Sequence, residues 1–135
     1  VTKRYLGIDY GAKRVGLATG DDEVRLATPL VTLEGDKEDL VEQLKAICHQ
    51  ESIDGIVMGL PRGLEGQETA QTAHVRAEAS RLEAALELPL ALQDEALTSE
   101  VARERLVERG QETGGGAIDR EAAAIILQDY LEGLA

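Results

Sequence analysis

The 135-residue chain reads as a single α/β domain built on a five-stranded mixed sheet, three antiparallel strands followed by two parallel ones, flanked by helices. Three observations predict this. Three short strand-like runs separated by Gly-containing turns fill residues 5–33. The hydrophobic period then switches from two to about 3.6 residues. From there, helical patterns alternate with short apolar runs, the signature of crossover connections and a parallel sheet.

Taken in order, Tyr5–Tyr10 is the first strand, with Leu6, Ile8 and Tyr10 on one face and Tyr5, Gly7 and Asp9 on the other. Gly11 allows a turn, and Val15–Thr19 returns as the second strand. Leu26–Leu33 is the third, placed at an edge by Pro29. Leu40, Val41, Leu44, Ile47 and Cys48 share one helical face, with Asp36 in position to cap it. Ile53–Leu60 is a nearly continuous apolar run, as expected of a strand covered on both faces. A second helix spans about Glu68–Leu86, and Pro89–Glu95 is the fifth strand. Thr98 or Ser99 caps a third helix, a Gly-rich loop covers 110–116, and the last helix starts at Asp119 with Ala122, Ala123, Ile126, Leu127 and Tyr130 turned inward.

Apolar residues make up 43 % of the chain, enough for a core, but aromatics are limited to three Tyr, so Leu, Ile, Val and Ala must fill it. A single Cys48 forms no internal disulfide and fits a reduced, cytoplasmic setting. No signal-peptide pattern and no run of membrane-spanning length is present, so no membrane association is expected. The net charge of −12 is unevenly spread. Residues 1–20 carry Lys3, Arg4, Lys13 and Arg14 against Asp9 alone, whereas the following forty residues are strongly acidic. A uniformly acidic protein is a poor phosphate binder; a basic start beside an isolated aspartate is not.

Asp9 is the anomaly, a carboxylate in a strand that reads as core. It lies near the carboxyl end of the first strand, and Glu95 lies at the carboxyl end of the fifth, where open α/β sheets gather their ligands. Asp119, on the sheet-facing stripe of the last helix, supplies a third acid. Carboxylates brought into one cleft repel one another, and a divalent cation relieves that conflict. An all-oxygen set suits Mg²⁺ or Mn²⁺, and no His or Cys stands at a zinc-like spacing. Such ions activate water and stabilise the leaving oxygen in phosphodiester cleavage. Simpler roles stay open for each residue. Asp119 fits an N-cap, Asp9 fits a salt bridge to Lys13 or Arg14, and Glu95 fits an exposed strand end. His49 and His74 sit among polar residues and read as surface, and glycines 114–116 read as a linker.

The segments LGIDYGAKRVGLA (6–18), GLPRGLEG (59–66), DEALTS (94–99) and IDREAAAIILQDYL (118–131) resemble, in this order and across essentially the whole chain, the YqgF family, also called RuvX. These are RNase H-like proteins described as Holliday-junction resolvase-like or as nucleases of the small-subunit ribosomal RNA precursor. The resemblance implies that Asp9, Glu95 and Asp119 form the acidic metal-binding triad; in the nuclease reading Lys13 and Arg14 meet substrate phosphate. It implies Mg²⁺ or Mn²⁺ as cofactor, structured RNA or branched DNA as partner, and ribosomal or recombination proteins as further partners. Processing of the pre-16S 5′ end is the favoured reading. Junction resolution, which needs paired cuts and hence a homodimer, is the alternative. In two places the chain departs from the family. Ala96 stands where a basic residue usually follows the Asp-Glu pair, and the loop 110–116 lacks the usual positive charge. Two further readings compete: a phosphate-binding lobe, since Asp9, Gly11 and Gly16 also resemble the first phosphate motif of actin-like ATPases, and a non-enzymatic RNA- or protein-binding factor.

Overall fold

The computed structural model describes residues 1–34, 37–95 and 98–135. The strands are β1 (Arg4–Tyr10), β2 (Arg14–Asp21), β3 (Thr28–Glu34), β4 (Gly55–Pro61) and β5 (Leu90–Glu95). The helices are α1 (Leu40–Gln50, entered through a 3₁₀ turn, Lys37–Asp39), α2 (Ala70–Leu86), α3 (Thr98–Glu108) and α4 (Ala117–Glu132). The sheet order is β3-β2-β1-β4-β5. β1–β2 and β2–β3 pair antiparallel, and β1–β4 and β4–β5 pair parallel. β3, the strand that carries Pro29, is at an edge as its sequence predicts.

The alternation along β1 divides the molecule into two layers. Leu6, Ile8 and Tyr10 point into the larger core with Leu40 and Leu44 of α1, Val75, Ala79 and Leu82 of α2, and Met58 and Leu60 of β4. The opposite face packs Ala18 and Val57 against Ala123, Ile126, Leu127 and Leu131 of α4. α3 lies outside α4, joined through Ala102, Ala122 and Ile125. β4 is buried along its whole length except Pro61, since it is covered by helices on both faces. No helix among the described residues is long and apolar enough to cross a membrane.

Several boundaries differ from expectation. α4 starts at Ala117, not Asp119; its N-cap is Gly116, whose φ of 83° lies in the left-handed region. Asp119 is therefore the third residue of the helix and not its cap. Thr98 is the first residue of α3, so the position that caps it lies outside the described residues, as do the expected cap Asp36 and the departure Ala96. α2 begins at Ala70 behind Thr69, which accepts from the Thr72 backbone N–H while Thr72 Oγ1 accepts from that of Thr69.

Candidate active-site cleft

Asp9 lies one residue before the end of β1, on the α4 side of the sheet. Its cross-strand partner on β2 is Gly16. A Cβ at Gly16 would run into the backbone carbonyl of Asp119, so only glycine lets the first turn of α4 settle onto β2. That contact sets Asp119 down beside Asp9. A similar vacancy positions the third acid. Glu95, paired with Pro61, ends β5, and its carboxyl group lies over Gly59, where a Cβ would be 3.0 Å from Cδ and 3.1 Å from Oε2. β1 and β4 run in parallel register up to Ile8–Met58, so Asp9 and Gly59 are the next residues on adjacent strands.

The three acids line one open cleft of about 390 Å³, together with Arg62, Gln71 and Thr98. The electrostatics follow. Asp9 is pushed up to about 7, first by burial and then by the negative charges of Glu95 and Asp119. Glu95 is also raised by burial, against a hydrogen bond from Thr98 that favours its ionised form. A half-buried carboxyl whose proton is held by burial and by two nearby acids suits a cation, and the all-oxygen donor set suits a hard one such as Mg²⁺ or Mn²⁺. The side chains do not close into a cage: among the described residues no three His, Cys, Asp or Glu groups stand close enough together to hold an ion as placed. Asp119 is turned toward Arg14, whose Nε donates to its Oδ2 at 2.9 Å.

That ion pair corrects one sequence expectation, because Arg14 pairs with Asp119 and not with Asp9. Lys13 is exposed in the β1–β2 turn and does not line the cleft. Asp94 is exposed, pointing away from Glu95 as strand alternation requires, and its Oδ1 is 3.2 Å from the Arg62 guanidinium. Arg62 is the functional candidate that sequence reasoning missed. It leaves the carboxyl end of β4, the position where ligands of parallel sheets gather, and its side chain is 23 % exposed, with Glu68 as a second carboxylate neighbour at 3.7 Å. The Pro-Arg-Gly turn directly after an apolar strand is the signal that marks it.

Comparison with known proteins gives one family and one fold. The family described as "RuvX: Holliday junction resolvase" matches residues 3–133. A relative from Anaeromyxobacter sp. (strain Fw109-5) is 39 % identical over 133 residues, covering 96 % of this chain and 97 % of its own. Another, from Gloeothece citriformis, is 42 % identical over 130 residues, covering 94 % and 86 %. Both carry the name "Putative pre-16S rRNA nuclease". Among solved structures, RuvC of T. thermophilus in complex with a Holliday junction substrate superposes with a TM-score of 0.57 at 17 % identity, over 96 % of this chain and 94 % of that one. At that identity the likeness is one of fold.

Proposed function

Because this chain belongs to the RuvX family, we propose that it is a divalent-metal-dependent endonuclease of the cytoplasm that cleaves structured RNA at the 5′ end of the small-subunit ribosomal precursor. The observation that carries the reading is the single cleft lined by Asp9, Glu95 and Asp119, three acids from distant segments, with Asp9 raised by burial and by the other two. The choice of RNA rests on relatives that match nearly end to end and are named for that substrate.

In this reading the three carboxylates hold Mg²⁺ or Mn²⁺, which when bound supplies Lewis-acid polarisation of the phosphate and an acidified water. The protein's own groups do the rest. Asp9 must give up its proton for the site to load, so its raised proton affinity sets the pH at which the site becomes competent. Arg14 releases Asp119 and turns to the phosphate, exchanging one anionic partner for another. Lys13, exposed in the β1–β2 turn, and Arg62 at the end of β4 hold the flanking backbone. Hydrolysis then adds water at phosphorus and breaks one phosphorus–oxygen ester bond.

Cleavage of a pre-16S 5′ extension with Mg²⁺ or Mn²⁺, wild type beside Asp9→Asn, tests this. Metal-dependent cutting lost in the variant supports it; equal cutting by both proteins, or none with any metal, refutes it. The family description and the RuvC fold favour a second reading, resolution of branched DNA. A four-way DNA junction run in the same assay separates the two: preferential, paired cutting of the junction selects resolution and a dimeric enzyme.

A further inference from the structure

A second cavity, larger than the acid cleft at about 860 Å³, opens between the β1–β2 turn and the first half of α2. It shares Tyr10, Gly11 and Gln71 with the cleft, so the two adjoin at the end of β1. Its chemistry differs. Among the described lining residues Arg81 is the one Arg or Lys, and it is bound to Glu78 at 2.7 Å. Glu78 offsets Arg81 and Glu38 adds one negative charge, so the described lining offers a phosphate no free cation. The wall is built instead for a flat, neutral group. The Tyr10 hydroxyl donates to Glu78 at 2.8 Å, which fixes its ring, and the exposed His74 imidazole stands 6.3 Å from that ring, tilted by 48°. Gln71 borders both spaces and carries an amide able both to donate and to accept a hydrogen bond.

We propose that this cavity receives an unpaired nucleobase of the strand whose phosphate lies in the acid cleft, stacked on His74, so that the protein selects RNA with a splayed-out nucleotide beside the cut. The proposal rests on the nuclease reading. Proteins recognise RNA sequence mainly through unstacked bases laid on aromatic side chains, His included, because the deep groove of the A-form duplex cannot be read. A chain with three Tyr and no Trp or Phe has few places to do this, and here an exposed ring lines the cavity that adjoins the acid cleft.

The test uses the full chain carrying Asp9→Asn, which keeps RNA intact, titrated with an RNA duplex bearing one unpaired 2-aminopurine and with the same duplex fully paired. Bound 2-aminopurine is expected to lose fluorescence by stacking. Adding His74→Ala is expected to weaken binding of the bulged RNA by about tenfold, the usual scale for one base on one ring, and to restore the fluorescence. His74→Phe recovers the affinity and the loss of fluorescence, and affinity for the paired duplex does not change in either variant. Unchanged binding of bulged RNA in His74→Ala, or an equal loss on both duplexes, overturns the proposal. Failure of the nuclease reading shows separately, as equal cleavage by wild type and Asp9→Asn.

Discussion

Replacing Asp9 by Asn should stabilise the metal-free protein while abolishing its activity. In the fold the Asp9 carboxyl keeps its proton up to a pH of about 7, against 3.8 for an unperturbed aspartate. Between those values the folded state binds the extra proton, so the free energy of unfolding falls as pH rises, by about 1.4 kcal/mol per unit. The whole descent amounts to about 4 kcal/mol and is complete once the pH passes the folded value. Asparagine has no proton to lose, so its stability curve lacks this slope. Allowing for an amide that matches a neutral carboxyl imperfectly, the variant gains about 2–4 kcal/mol at pH 8, or roughly 10 °C in Tm for a domain of this size. At pH 4, where Asp9 is protonated in the fold, the two proteins should melt nearly together. Thermal unfolding by circular dichroism in chelator, at pH 4, 6 and 8, reads the effect. An Asn variant no more stable than wild type at pH 8, or one with the same loss between pH 4 and 8, would refute the claim that burial, with Glu95 and Asp119 nearby, holds the proton on Asp9.

Other expectations follow from the same geometry. Gly16→Ala drives a methyl group into the first turn of α4 and should cost about 3 kcal/mol or more, with loss of activity because Asp119 is displaced. Gly114→Ala, which meets open space, serves as the neutral control in denaturant melts. Affinity for Mg²⁺ should fall by up to tenfold per pH unit below 7, as protons compete for Asp9, measurable by calorimetric titration across pH 5–8. Lys13→Ala and Arg14→Gln should each flatten the dependence of log affinity on log salt by about 0.7–0.9 per lost phosphate contact, whatever the RNA sequence. A slope unchanged in both variants would remove them from the phosphate path.

Much of this was legible before any coordinates. The continuous apolar run of 53–60 marks a doubly covered parallel strand because burial on both faces leaves no polar side to alternate with. Asp9 and Glu95 stand out because strand ends can be located and ligands gather there. The start of α4 was misplaced by two residues for a physical reason. Asp at a helix start suggests a cap, whereas Gly116 takes the cap in a left-handed conformation, and the contact over Gly16 decides how far the first turn descends. Partners of long side chains were not legible. That Arg14 takes Asp119, or that Arg109 reaches the buried Glu121 on α4, depends on rotamers and on docking between distant segments. Arg62 was passed over because a turn arginine resembles any surface arginine until the strand before it is set beside Glu95.

Mn²⁺ binding, followed by the loss of its free-ion paramagnetic resonance signal, tests most directly whether the three acids serve one cation. Single replacements Asp9→Asn, Glu95→Gln and Asp119→Asn should each weaken binding by at least about tenfold, the scale of removing a ligand or its immediate support. Asp94→Asn, beside Glu95 but paired outward with Arg62, should leave it unchanged. Full affinity retained by any of the first three, or an equal loss in Asp94→Asn, would contradict a shared site.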